Sequence, residues 1–157
     1  MPSSEQNSQN YEFLNDPLYL SPSDQPNLIL INTKLTDQNY IYWKREAYLA
    51  LISKNKDGFV DGTVEKPDKK DKTYHQWIRC DIIVTSWLKN SIEQNIKDTV
   101  NYISSARDLW KELHESMKRK KNLLHLKNPL ITWKKETHVR KALPLLMIYT
   151  ILKWIHK

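Results

Sequence analysis

The feature that most constrains the fold of this chain is a set of apolar stripes at helical spacing. Between residues 40 and 117, apolar side chains recur every three or four positions in four separate segments, the pattern of helices with one buried face. Only two of the 157 residues are glycine, which argues against the many tight turns of an all-β fold. We therefore predict an all-α fold, a compact bundle of about four helices.

Capping residues and turn signals set the expected boundaries of these helices. The first helix starts after the cap-type cluster at 36–39 and stops at the turn at 53–58, with Ile52 widening its apolar stripe. The second covers about 73–90, the third about 93–102, and the fourth starts after Ser104 or Ser105 and reaches Met117. Residues 59–63 lie between two turn signals and are predicted to be a short extended piece. Ahead of the first helix, the prolines and the apolar run at 28–31 predict an extended strap or short strand.

Charge divides the chain sharply. Residues 1–116 carry a net charge of −3, whereas residues 117–157 carry +10 with a single acid, Glu136. Residues 1–15 are rich in Ser, Asn and Gln and are expected to be disordered. The predicted organisation is therefore a disordered N-terminus (1–15), a helical domain (16–117) and a basic tail (118–157).

Catalytic and metal-binding patterns are not evident in the sequence. One cysteine, Cys80, cannot form a disulfide framework or a multi-thiolate zinc site, and the five histidines lack metal-ligand spacing. Phosphate-loop, dinucleotide and nucleophile-elbow motifs are not found. Cys80 falls on an apolar helix face, which favours a core residue over a nucleophile. We expect no enzymatic activity, no cofactor, no metal site and no small-molecule substrate.

Several motifs, kept in order and spacing, carry a family resemblance. They are Asp-Pro-Leu-Tyr-Leu at 16–20, Leu-Thr-x-x-Asn-Tyr-x-x-Trp at 35–43, Phe-Val-Asp-Gly-Thr at 59–63, Trp-x-Arg-Cys-Asp at 77–81, Ser-Trp-Leu-x-Asn-Ser at 86–91 and Ser-Ala-x-x-Leu-Trp at 105–110. Over about residues 16–117 the chain resembles the N-terminal Gag region of plant Ty1/copia-type LTR retrotransposons. The likeness weakens beyond this, with Pro129 and Pro144 where the family continues helical, as in a truncated copy.

The resemblance implies a Gag-like structural protein that self-assembles in the manner of a capsid and has no catalytic activity. The family's zinc knuckle would need several cysteines and is therefore not expected here. The expected partner is a second copy of the chain. The family-motif residues expected to build the helical core are Tyr40, Trp43, Trp77, Trp87, Leu88, Leu109 and Trp110.

Nucleic-acid binding by the basic tail is the alternative function. Its lysines and arginines would neutralise RNA phosphates, although a charge run is also typical of a solvated surface. Trp133 and Trp154 fit core packing and base stacking equally well. Membrane attachment is not expected, because Pro144 interrupts the apolar run near the C-terminus. We expect a cytoplasmic location, with a nuclear one left open. The candidate RNA contacts are Lys118, Arg119, Lys120, Lys121, Lys134, Lys135, Arg140 and Lys141.

Overall fold

The computed structural model describes residues 15–127, and side chains as far as residue 124. Within that range the chain forms five helices: α1 (Tyr40–Ser53), α2 (Gly58–Asp61), α3 (Tyr74–Asn90), α4 (Gln94–Val100) and α5 (Ala106–Lys127). No β-strand occurs in this part of the chain. The all-α prediction is confirmed, with four predicted helices and one additional short helix. The predicted disorder of the N-terminus falls almost wholly outside the described residues.

The described residues up to Met117 form one compact unit, and residues 118–127 belong to a second. The hydrophobic core of the first unit contains residues from all five helices and from the segment that precedes them. On α3 the buried face consists of Trp77, Cys80, Val84, Trp87 and Leu88, together with Asp81 and Thr85. Trp77, Trp87 and Leu88 are among the residues expected to build the core, and Cys80 lies on the apolar face on which it was predicted.

Residues 16–35 form a strap, an extended segment with several turns that lies over the core rather than pairing in a sheet. Most of its apolar side chains pack against the core, with Leu35 fully buried and Ile31 nearly so, whereas Ile29 is exposed. The strap ends in an isolated parallel bridge between Leu35 and Ile92. In that bridge the Leu35 N–H donates to the Ser91 carbonyl over 2.7 Å, and the Glu93 N–H donates to the Leu35 carbonyl over 3.1 Å. Of the two predicted forms, strap or strand, the structure contains the strap.

The extended conformation predicted for residues 59–61 is wrong, because these residues form the single helical turn of α2. Phe59 and Val60 are consecutive and both buried. In a strand, two consecutive side chains point to opposite faces, whereas a helical turn lets both reach the same core. Gly62 ends the turn with φ +86°, a left-handed conformation that favours glycine.

The α1 stripe is narrower than predicted. Trp43, Ala47 and Leu51 are fully buried, but Ile52 is 46% exposed. At 100° per residue, Ile52 lies 100° beyond Leu51 around the helix, on the side that faces away from the core. The interpretation that Ile52 widens the buried stripe is therefore wrong.

Candidate interaction surface

The predicted family-motif residues divide into two groups in the structure. Five are buried in the core: Trp43, Trp77, Trp87, Leu88 and Leu109. Tyr40 and Trp110 are only half-buried and lie at the edge of the core. The Trp110 ring lies 5.8 Å from that of Trp43 and 6.4 Å from that of Tyr48.

Each buried indole donates its N–H to a main-chain carbonyl. Trp43 donates to Ser91 over 3.0 Å, Trp77 to Val64 over 3.2 Å and Trp87 to Gln25 over 2.8 Å. A buried indole N–H without an acceptor would be costly. These rings therefore tie loops to helices, and being buried they offer no platform on which a base could stack.

The strap is held by side chains that donate to its main-chain carbonyls. Gln76 Nε2 and Cys80 Sγ both lie 3.1 Å from the Leu18 carbonyl oxygen, and Asn90 Nδ2 lies 2.9 Å from that of Pro26. The Cys80 thiol is fully buried and burial raises its pKa, which suppresses the reactive thiolate. In keeping with its sequence context, Cys80 lies within the core.

A buried lysine fixes the N-terminal end of the strap. Lys56 is 1% exposed, and its Nζ donates to the Tyr19 carbonyl over 2.7 Å. Burial lowers the pKa of this ammonium group, because a charged amine loses its hydration in the interior. Next to it, Lys54 Nζ lies 2.8 Å from Asp24 Oδ1 in an ion pair. Sequence analysis did not predict a role for either lysine, because both lie in a polar turn, where lysines are usually exposed to solvent.

Asp81 is a second buried charge that sequence analysis did not single out for a role. Its Oδ1 accepts the N–H of Ala106, the first residue of α5, over 3.0 Å. Burial raises the pKa of this carboxyl, and the bond from Ala106 opposes that rise. Asp81 thus caps α5 from a different helix, which no local capping pattern reveals.

An open groove of about 590 Å³ lies beside α1. Tyr40, Lys44 and Tyr48 line it from α1, and Trp110 and His114 from α5. Lys44 Nζ lies 6.0 Å from the centres of both the Tyr40 and Trp110 rings, within reach of a cation–π attraction.

The ionisable groups of this groove do not form a catalytic arrangement. Tyr40 Oη lies 3.0 Å from His114 Nδ1. Burial, aided by the charge of Glu115, raises the pKa of Tyr40 to about 12, so its phenol stays protonated at neutral pH. Among the described hydrogen bonds, His114 pairs with Tyr40 and not with a carboxylate that would orient it as a base. In the described part of the chain, no cluster of three or more His, Cys, Asp and Glu side chains could hold a metal ion.

The outer face of α1 is apolar as well as its buried face. Ile41 is 73% exposed, Tyr42 78%, Leu49 55% and Ile52 46%. A surface helix of a globular protein normally carries polar residues on this side. The outer face of α1 therefore resembles an interaction surface.

Part of the chain that includes α1 is similar to known proteins. Residues 21–68 match the family model described as Gag-polypeptide of LTR copia-type. This part of the chain is therefore similar to copia-type Gag polypeptides. The matched residues take in most of the strap, α1 and α2, whereas Trp77, Trp87 and Trp110 lie beyond them.

Two curated plant proteins are similar to this chain. They are the Retrovirus-related Pol polyproteins from transposons RE2 and RE1 of Arabidopsis thaliana, each 25% identical over 92 residues. The alignment covers 53% of this chain and 6% of each relative, so the chain spans a small part of the proteins it matches. No solved structure matches the chain significantly.

The candidate RNA-binding residues fall beyond the compact unit that holds the Gag motifs. Lys118, Arg119 and Lys121 are exposed on α5, and Lys120 is half-exposed. The other four, Lys134, Lys135, Arg140 and Lys141, lie outside the described residues, as do Trp133 and Trp154. In the described range, no helix is both long and apolar enough to cross a bilayer.

Proposed function

We propose that this chain is a capsid-type structural protein, which acts by associating with further copies of itself and catalyses no reaction. The observation that carries the proposal is the outer face of α1, where four large apolar side chains are exposed on a helix whose other face is core. Removing such side chains from water favours association. A cytoplasmic location remains part of the proposal.

The buried polar groups support a role without catalysis. Lys56, Asp81 and Cys80 each hydrogen-bond to a main-chain group. These contacts hold the strap and the start of α5, so the ionisable groups of the interior serve the fold. A catalytic group needs instead to face a site that a substrate can enter.

Sedimentation velocity of the purified chain over a range of concentrations tests self-association. We expect the weight-average sedimentation coefficient to rise with concentration, and electron microscopy to show discrete oligomers or particles. A chain that stays monomeric at concentrations on the order of hundreds of micromolar contradicts the proposal. Addition of RNA to a parallel sample shows whether nucleic acid is needed for particles to form.

RNA binding through the basic segment is a second candidate function. Its support is the exposure of Lys118 and Lys121 on α5, at the start of the region that carries a net charge of +10. The test compares K118Q/K121Q with K69Q/K70Q, which removes the same charge from the exposed connector before α3. Weaker RNA binding by the first variant alone supports the candidate, and equal affinity of both variants contradicts it.

A further inference from the structure

The strap consists of two parts that differ in burial. In residues 16–28, here called the N-terminal strap, every apolar side chain is half-buried or exposed, and the one buried side chain is the charged Asp24. Ile31 and Leu35, by contrast, are buried apolar residues. Because hydrophobic stabilisation follows the apolar area removed from water, the N-terminal strap is held less strongly than residues 31–35.

Polar side chains attach the N-terminal strap to the rest of the fold. Its carbonyls accept hydrogen bonds from side chains of α3 and of the turn after α1, and its Asp24 pairs with Lys54. Its own N–H groups donate to acceptors two or three residues away, as from Leu28 to Gln25 over 3.0 Å. These local bonds do not depend on the helices, so the segment can detach without losing them.

Residues 29–30 form a natural hinge between the two parts. Ile29 is 67% exposed, and within the described structure the N–H groups of residues 29–34 donate to no main-chain acceptor. Rotation at residues 29–30 therefore breaks no main-chain hydrogen bond. Beyond the hinge, the bridge between Leu35 and Ile92 holds the chain in place.

Two buried groups lie beneath the N-terminal strap. The fully buried Cys80 Sγ lies 3.1 Å from the Leu18 carbonyl oxygen, and Lys56 Nζ, in a residue 1% exposed, lies 2.7 Å from that of Tyr19. Detachment of the strap returns water to the ammonium group of Lys56, which offsets part of the cost of the lost contacts. It also uncovers the thiol of Cys80, the single cysteine of the chain.

We propose that the N-terminal strap opens and closes on the folded core by rotation at residues 29–30, and so uncovers and covers the face of α3 that carries Cys80 and Trp87. The ion pair between Lys54 and Asp24 holds the closed form. Opening needs less free energy than global unfolding, because it gives up the contacts of one segment while α1 to α5 stay folded. The movement belongs to a single copy of the chain and does not depend on self-association.

Alkylation of Cys80 in the full chain measures the opening. The rate with iodoacetamide, divided by the rate for the urea-unfolded chain at the same pH, gives an exposure constant, and urea unfolding followed by tryptophan fluorescence gives the global unfolding constant. We expect the exposure constant to be about tenfold larger or more. Its urea dependence should be less than about half as steep, because less surface is exposed. Equal constants with equal urea dependence would overturn the proposal, since Cys80 would then be reached only by global unfolding.

Two lysine substitutions show which contacts are lost on opening. K54Q removes the ion pair with Asp24 and should raise the exposure constant and the global unfolding constant by the same factor, about two- to fivefold, because both transitions break that pair. K89Q removes a lysine that donates to the carbonyls of Asn101 and Ile103, outside the strap. It should raise the global unfolding constant and leave the exposure constant unchanged. Equal rises of the exposure constant in both variants would contradict an opening confined to the strap.

A substitution within the N-terminal strap tests whether that segment is the part that moves. Leu20 is half-buried against the core, whereas Asn27 is exposed. L20A should raise the exposure constant by about fivefold or more, and N27A should change it by less than about twofold. Circular dichroism of both variants checks that the helices are kept. If L20A leaves the exposure constant unchanged, the thiol is reached by another route, such as fraying of α3, and the proposal is wrong.

Discussion

Buried polar residues in this chain serve as anchors for the backbone. Lys56 donates to a strap carbonyl, Ser91 Oγ donates to the Leu88 carbonyl over 2.7 Å, and Asp81 accepts the first N–H of α5. Every fully buried side-chain nitrogen or oxygen among the described residues has a hydrogen-bond partner. A buried group with a partner is tolerated, whereas one without a partner costs about 1–3 kcal/mol.

Substitution of Asp81 separates its hydrogen bond from its charge. D81A removes the acceptor for the Ala106 N–H and should lower the free energy of unfolding by about 1–2 kcal/mol. D81N keeps an acceptor oxygen in the same place and should lose much less. Urea unfolding followed by tryptophan fluorescence measures both. Equal losses would show that the capping bond contributes nothing beyond packing.

The D81N variant and the unmodified chain should also differ in how their stability depends on pH, and the sign of the difference can be predicted. Because burial raises the pKa of Asp81, the native state retains a proton that the unfolded state loses between the usual carboxyl pKa and the raised one. Stability conferred by this group is present below that window and is lost as the pH rises through it. D81N cannot ionise there, so its stability relative to the unmodified chain should increase from acid to neutral pH. A difference that stays constant with pH contradicts this.

The strap shows most clearly how an element without regular structure stabilises the fold. Leu35 is completely buried, whereas Ile29 is 67% exposed. L35A should lower the free energy of unfolding by about 2–4 kcal/mol, since it leaves a cavity in a closed core. I29A removes a comparable apolar side chain from the same element and should change it by less than about 0.5 kcal/mol. Similar effects at both positions would mean that the strap does not belong to the cooperative core.

Sequence periodicity predicted the helices well and the short pieces badly. On α3, seventeen residues long, several turns of apolar spacing outweigh any single exception. At Phe59 and Val60 there are too few residues to show a period, and only the core around them decides that they form a helical turn. Ile52 was misplaced for a related reason, since apolar character alone does not tell a buried face from an interface.

The candidate interface was not predictable from composition. The sequence shows that α1 is apolar on most sides, but exposure on its outer face appears only when the core is assembled. Asp81 was likewise beyond local rules, because its partner is 25 residues away in sequence. Long-range hydrogen bonds of this kind carry no signal in a single sequence.

At the scale of the whole chain, the two proposed interactions depend on different regions. The outer face of α1 lies within the residues that match the Gag family model and exposes large apolar side chains, whereas the RNA candidates are basic residues from 118 onward. Self-association should therefore persist in salt that removes RNA, because apolar contacts are not screened.

The number of candidate basic residues sets an upper limit on how steeply RNA affinity can fall with salt concentration. Eight candidate basic residues neutralising single-stranded RNA would give a slope of log affinity against log salt concentration of up to about −6. Fluorescence anisotropy with a labelled RNA over a salt series measures the slope. A slope near zero contradicts phosphate neutralisation by the tail. Loss of about one unit or more in K118Q/K121Q, but not in K69Q/K70Q, assigns part of the slope to α5.

The manner in which the strap is held has a consequence for how related sequences diverge. Its anchors are the oxygens of Leu18, Tyr19, Gln25 and Pro26, and every amino acid supplies the same oxygen. Mutations along this segment therefore leave those acceptors in place as long as the chain follows the same path. A change at Gln76, Trp87 or Asn90, by contrast, deletes the donor itself. Among related sequences that accumulate mutations, these donors should be retained longer than the strap residues that they hold.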